Sequence, residues 1–272
     1  MTRNKGDRAF VDAIPEVYDR QLVPLIFESY AADLVRRAAS ALPTRVLEIA
    51  AGTGVLTRHL AADLPDTTSI VATDLNAPML ERAAAIGTQR PVQWQLADAL
   101  KLPFEDGSFD AVVCQFGVMF FPDKARAYSE VHRVLRPQGR FLFNVWDRIE
   151  ENEFSQVTEL ALEALFPRDP PRFFSRTPHG YCDSAIIQRH LAEGGFTHTA
   201  EVSMVTARSR AESAAVAAAA LCLGTPLRNE IEARDASRLD AATDWATKAI
   251  ARRFGNGAVD GKLQAIVFSV AR

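Results

Sequence analysis

The sequence predicts an α/β fold: a doubly wound sheet of seven strands, mostly parallel with an antiparallel last strand, and helical lid elements added to it. Three observations carry this. Short β-branched runs alternate with helical patterns as far as Asp147, a glycine-rich turn joins the first strand to a helix, and beyond Asp147 an irregular stretch precedes two further strands. Buried strands separated by helices imply right-handed crossovers and a sheet covered on both faces.

The elements follow in order. Over residues 24–42, Leu25, Ile26, Tyr30, Leu34, Val35, Ala38, Ala39 and Leu42 recur at helical spacing ahead of a strand at 45–50. A helix at 55–64, a strand at 69–74, a helix from Pro78 and a strand at 92–97 come next. A strand at 109–116, a helix at 123–135, a Pro137-Gln138-Gly139 turn and a strand at 140–146 complete five units. A helix at 153–166 then leads into PRDPPRFFSRTPHG, too rich in Pro, Arg and Phe for another unit, which reads as a lid or substrate loop. A helix at 183–193 ends at Gly194-Gly195 before a strand around 198–208, and a helical stretch at 211–254 precedes a last strand at 262–271. The alanine-rich run SAAVAAAALCL in that stretch reads as close helix packing.

A chain of 272 residues can bury a full α/β core without staples. Its formal net charge of -3 lacks the electrostatic footprint of a nucleic-acid surface, and Arg36-Arg37 and Arg252-Arg253 read as solvated helix faces. Cys114, Cys182 and Cys222 stand apart without CxxC spacing, which suggests neither a disulfide framework nor a zinc site. The N-terminus is polar and no apolar run is long enough to span a bilayer, so the expectation is a soluble cytoplasmic protein, monomer or homodimer, acting on a small molecule.

The most informative segment is VLEIAAGTGVLT, from Val46 to Thr57. Gly52 and Gly54 permit positive φ and remove the Cβ that would hold a ligand away from the main chain. Dinucleotide sites use the same device, but a third small residue normally follows three positions after the second glycine, and here that position is Thr57. Pyrophosphate also needs a bare helix N-terminus, whereas Glu48 just before the turn suits a cationic ligand. The second strand ends in Asp74, whose carboxylate can accept both hydroxyls of a ribose.

VLEIAAGTG resembles motif I of class I S-adenosylmethionine-dependent methyltransferases, a family with a Rossmann-like sheet. VATDLNAPML, QLADALKLPFEDGSFDAVVCQFGVMFFPD and RVLRPQGRFLFNVW resemble its later motifs, in the family's order and spacing over roughly residues 45 to 147. The combination is most similar to methyltransferases of the ubiquinone/menaquinone-biosynthesis type (methyltransferase type 11). One departure is Ala50, where the family has its first glycine. The resemblance implies that Glu48 and the backbone of Ala50, Gly52, Thr53 and Gly54 hold the methionine moiety, and that Asp74 takes the ribose hydroxyls. It implies that Asn76 and Met79 flank the adenosine, that Asp98 accepts the adenine amino group with Ala99 beside it, and that Gln115 and Phe116 line the site. Tyr18 and Tyr30 are family-like aromatics that would close over the cofactor. The resulting division is 1–44 as N-terminal helices covering the cofactor site, 45–147 as S-adenosylmethionine-binding core, and 148–272 as lid and substrate-recognition elements with the last two strands.

Methyl transfer from a sulfonium is an in-line displacement that needs alignment and a dry pocket rather than a fixed triad. The expected reaction moves a methyl group to an O, N or C atom of a small, fairly apolar metabolite and leaves S-adenosylhomocysteine. His179, flanked by Arg176 and Tyr181, is the candidate general base, because loops over the carboxyl ends of parallel strands border the ligand crevice. Trp146, Phe173, Phe174 and Tyr181 are the candidate acceptor pocket. Each has a structural alternative: Asp74 and Asp98 as caps, Glu48 as a buried charge lacking a partner, Tyr18 and Tyr30 as core aromatics, His179 as a surface histidine, and Phe173 and Phe174 as loop anchors. The rival functions are a nicotinamide dehydrogenase, disfavoured by Thr57 and Glu48, and a non-catalytic adenosyl-ligand-binding regulatory or assembly module.

Overall fold

A computed structural model describes residues 14–272. A helical turn α1 (Ile14–Val17) continues through a π-helical segment, Tyr18–Phe27, into α2 (Glu28–Ala39). The helix expected from residue 24 is therefore already under way at Ile14, the first described residue. Pro24, which has no N–H to donate and whose ring crowds an α-helical turn, sits inside the wider π-helical part.

The strands are β1 (Arg45–Ile49), β2 (Ser69–Asp74), β3 (Gln93–Leu96), β4 (Phe109–Gln115), β5 (Leu135–Trp146), β6 (Glu201–Ala211) and β7 (Val259–Ala271). They form one sheet in the order β3-β2-β1-β4-β5-β7-β6, Rossmann-like, six strands parallel and β7 antiparallel. β1 is central: it pairs in parallel with β2 through Glu48↔Ala72 and with β4 through Glu48↔Val113. Because β2 and β3 build out on one side of β1 and β4 and β5 on the other, the winding reverses between β1 and β4. Crevices for ligands open there, outside the carboxyl ends of the strands.

The helices are α3 (Val55–Asp63), α4 (Ala77–Ile86), α5 (Lys124–Val134), α6 (Glu153–Leu165), α7 (Phe173–Arg176), α8 (Ser184–Glu193), α9 (Ala214–Leu223), α10 (Leu227–Asp235) and α11 (Leu239–Phe254). The single stretch expected at 211–254 is thus three helices. In α9, Ala217 and Ala220 are fully buried, and the helix packs on α11 and on Tyr18–Phe27, which is the close packing expected of the alanine run. Pro137-Gln138-Gly139 is not a free turn but an irregularity within β5. Between the pairs Phe109↔Leu135 and Ala111↔Arg140, β5 carries three more residues than β4, and Gln138 takes up the excess at φ 68°.

Two compact units partition the chain. One comprises residues 14–28, Trp146–Gly180 and Thr206–Gln264; the other comprises Ser29–Val145, Tyr181–Val205 and Ala265–Arg272. The second holds the crossovers around β1 and a core that includes Leu47, Val112, Phe141 and Phe143. The first holds α6, α7, α9 and α11 around Phe154, Leu162 and Ile250. Among the described residues no helix is long and apolar enough to cross a membrane, no cluster of three or more His, Cys, Asp or Glu could hold a metal, and no disulfide joins the three cysteines.

Candidate functional site

β1 runs into the glycine-rich turn with an apolar, buried face, and the turn bends through three left-handed residues: Ala50 (φ 56°), Gly52 (φ 57°) and Gly54 (φ 82°). At Ala50 an L side chain costs about 1–2 kcal/mol relative to the right-handed region. Ala50 therefore adopts the left-handed backbone that glycine favours. Ala51 N–H donates to Thr73 O at 2.9 Å and Gly54 N–H to Ala51 O at 3.0 Å, which ties the turn to β2 and closes it on itself. A Cβ at Gly54 would lie 2.9 Å from the Trp94 ring and 3.1 Å from Ala83, so this position needs glycine for space as well as for φ.

Glu48 is 1% exposed, on the second-last residue of β1. Its partner is Thr57, whose hydroxyl donates to Oε2 at 2.5 Å from the first turn of α3. Burial pushes the carboxyl up to about 8, the Asp74 charge adds to the rise, and the Thr57 bond and Arg58 oppose it. In the sequence Thr57 served only to argue against a dinucleotide; nothing in its spacing revealed that it satisfies Glu48.

Asp74 ends β2 and is buried. Oδ2 accepts Gly52 N–H at 2.8 Å, while Oδ1 accepts Asn76 N–H at 2.8 Å and Asn76 Nδ2–H at 3.2 Å. Burial raises its carboxyl and these bonds pull it back. A carboxylate offers roughly four acceptor directions, and bonds from Gly52, Asn76 and the Leu75 main chain already draw on them. Asp98 is exposed, and its Oδ1 accepts Leu100 N–H at 2.9 Å, so it also shapes its own loop beside Ala99. Met79 is buried in the first turn of α4.

At the end of β4, Gln115 is followed by Phe116, a non-glycine residue at φ 49°. Asn144 of β5 holds it there: Asn144 Oδ1 accepts Phe116 N–H at 2.9 Å. The signal that could have found Asn144 is a lone amide in the run RFLFNVW, whose other members are apolar from Phe141 on and buried. Gly117 next to it could not carry a side chain, since a Cβ would fall 2.5 Å from that of Ala50, so the β4 end rests on the β1 turn. Tyr30 is 0% exposed, donates to Val205 O at 3.4 Å and meets Phe116 edge-on at 5.3 Å. Tyr30 thus backs Phe116 at the end of β4.

The remaining candidates separate. In the unit that contains α6 and α7, ring contacts link Trp146 to His179 (6.2 Å), His179 to Phe174 (6.5 Å) and Phe174 to Phe173 (5.4 Å). Phe27 joins Trp146 at 6.0 Å and Tyr18 joins Phe27 at 5.3 Å. The segment expected to be an irregular loop is anchored there by α7, with both phenylalanines buried. His179 is not a surface residue: it is 6% exposed, its Nδ1 lies 2.8 Å from Asp147 O, and burial lowers it to about 4. Tyr181 belongs to the other unit, where its hydroxyl meets Tyr128 and His190 and Lys124 lies over its ring.

A seven-stranded sheet in this order, with an acid at the end of β2 facing a positive-φ turn after β1, is a Rossmann-like fold. Residues 47–143 match the family model described as a methyltransferase domain. The chain is similar to the demethylmenaquinone methyltransferase of Deinococcus radiodurans, 36% identical over 49% of this chain and 58% of that protein. It is also similar to a ubiquinone/menaquinone biosynthesis C-methyltransferase of Pseudomonas aeruginosa, 31% identical over 56% of this chain and 64% of that protein. The chain thus spans less than two thirds of these relatives' length. Among solved structures, the YcgJ protein of Bacillus subtilis superposes with a TM-score of 0.56 at 19% identity, covering 90% of this chain and 98% of that one, a likeness of fold.

Proposed function

We propose that the chain binds S-adenosylmethionine on the β1 turn and transfers its methyl group to an O, N or C atom of a small, fairly apolar metabolite. The observation that carries this is the convergence of Glu48, the left-handed turn and Asp74 at the reversal point of the sheet. The residues present fit the cofactor on one further count. Thr53 Oγ1, inside the turn, is buried and has no hydrogen-bond partner among the described residues, as a donor reserved for a ligand would be.

When bound, S-adenosylmethionine supplies a methyl group already activated by its sulfonium. Glu48 would meet the cationic end, the main chain of Ala50, Gly52, Thr53 and Gly54 would carry the methionine part, and Asp74 would take the ribose hydroxyls. Asn76, Met79, Asp98 and Ala99 border the adenosine, and Gln115 with Phe116 lines the end of β4. His179 is neutral at working pH; with Nδ1–H donated to a carbonyl that can only accept, Nε2 carries the lone pair and takes the acceptor's proton. Trp146, Phe173 and Phe174 supply its apolar surroundings. The names of the relatives make a ring carbon of a reduced quinone the first acceptor to assay.

Calorimetric titration with S-adenosylmethionine, S-adenosylhomocysteine and reduced nicotinamide cofactor in parallel tests the cofactor. Micromolar binding of the two adenosyl ligands alone is expected, and nicotinamide binding, or none by a folded sample, would overturn the reading. Transfer of labelled methyl to a panel of reduced quinones, phenols and amines tests the acceptor.

A further inference from the structure

We infer that Asn152 is a positioning residue for His179: its buried amide fixes the carbonyl of Asp147, and through that carbonyl the tautomer and direction of the imidazole. The inference rests on the reading of His179 as the proton acceptor. Asn152 occupies the N-cap position of α6, where an asparagine ordinarily accepts a hydrogen bond from the helix's first turn. Here the side chain makes no such bond. It is 0% exposed and points instead to the end of β5 and to β7. The two Nδ2 hydrogens are shared among Asp147 O at 3.2 Å, Arg148 O at 3.1 Å and Gln264 O at 3.3 Å, while Oδ1 accepts Gln264 N–H at 3.2 Å.

Gln264 completes the frame. Its carbonyl accepts Asp147 N–H at 3.1 Å, its Nε2–H donates to Asp147 Oδ2 at 2.7 Å, and its Oε1 accepts the Thr206 hydroxyl at 3.0 Å. Asp147 is therefore held by its amide on the Gln264 main chain, by its carbonyl on the buried Asn152 amide, and by its carboxylate on the buried Gln264 side chain and on Arg148 N–H. Filling a core with amides is costly unless each group is paired, and a fully paired network specifies one geometry. What this one specifies is the direction of Asp147 O, whose remaining partner is His179 Nδ1. The bond made by one imidazole nitrogen decides which nitrogen is left to act, so the amide of Asn152 keeps Nε2 available.

Long-range ¹⁵N–¹H NMR of labelled histidine in wild type and in Asn152→Asp, which keeps the acceptor for Gln264 N–H but loses the donors, tests this. Wild-type His179 is expected as the Nδ1–H tautomer. The variant is expected to populate Nε2–H, with kcat down about 10- to 100-fold, as for other partners that orient a functional histidine, and KM for S-adenosylmethionine within about twofold. A wild-type Nε2–H tautomer, readable even if the variant fails to fold, would overturn the inference, as would a folded variant with an unchanged tautomer. A shifted tautomer with unchanged kcat would uphold the positioning and remove His179 from the reaction. Asn152→Ser, which keeps one donor, should fall between the two.

Discussion

Replacing Asp74 with Ala removes two things at once, and the geometry separates them. The carboxylate clamps the β1 turn through Gly52 N–H and holds the start of α4 through Asn76. Two hydrogen bonds to a charged acceptor, discounted for the burial that Asp74 no longer has to bear, put the stability loss at about 2–4 kcal/mol. For a chain of this size that lowers Tm by roughly 4–16 °C. Separately, loss of one bond from a ribose hydroxyl to a carboxylate weakens S-adenosylhomocysteine by about 1.5–3 kcal/mol, or about 10- to 150-fold in Kd. Calorimetry with the parent ligand and its 2′-deoxy and 3′-deoxy analogues, on wild type and Asp74→Ala, isolates the second effect as a coupling energy. Coupling of about 1 kcal/mol or more is expected for at least one hydroxyl. Additive losses for both analogues would refute the ribose contact.

Glu48 has its pKa raised on folding, so between its ordinary value of 4.5 and about 8 the folded state holds a proton that the unfolded chain has released, and stability falls as pH rises through that window. Glu48→Gln, which can still accept from Thr57, should flatten this by a few kcal/mol in urea titrations at pH 5 and pH 8, and parallel pH profiles would count against a buried protonated Glu48. His179 has the opposite sign: its pKa is depressed from 6.5 to about 4, so its burial costs nothing above 6.5 and stability is lost as pH falls toward 4, by up to roughly 3 kcal/mol. His179→Gln should abolish that acid loss and also lower kcat at neutral pH; an unchanged acid limb in denaturation would argue that the imidazole is solvated. Gly54→Ala forces a Cβ against Trp94 at a left-handed position and should cost about 1–3 kcal/mol in denaturant midpoint, with wild-type stability contradicting the turn geometry.

Periodicity and punctuation made the sheet legible. The β2 bounds were readable to the residue, because β-branched runs, a following Asp and a helix opening at Pro78 are local signals. The glycine-rich turn and the acid at the end of the next strand named the ligand class, since φ > 0 and missing Cβ atoms are properties of residue type. Tertiary structure alone decided the rest. Glu48 meets Thr57 nine residues away and Asp74 meets Gly52 across 22, and no pattern along the chain states which lone pairs such meetings consume. The irregularity at Gln138 reads as a turn because its composition is that of a turn, although strand pairing continues around it. Tyr181 lies two residues from His179 but packs with Tyr128 and His190, because direction of a side chain, not distance in sequence, sets its neighbours. The fate of His179 depended on Asp147 and Asn152, brought to it from 32 and 27 positions away by the close of β5 and the start of α6. The sequence thus determined the class of fold and the glycine-rich turn on which the proposed ligand site rests, through local conformational preference. Which groups are buried, satisfied or left to act was determined by contacts that exist only once the chain has folded.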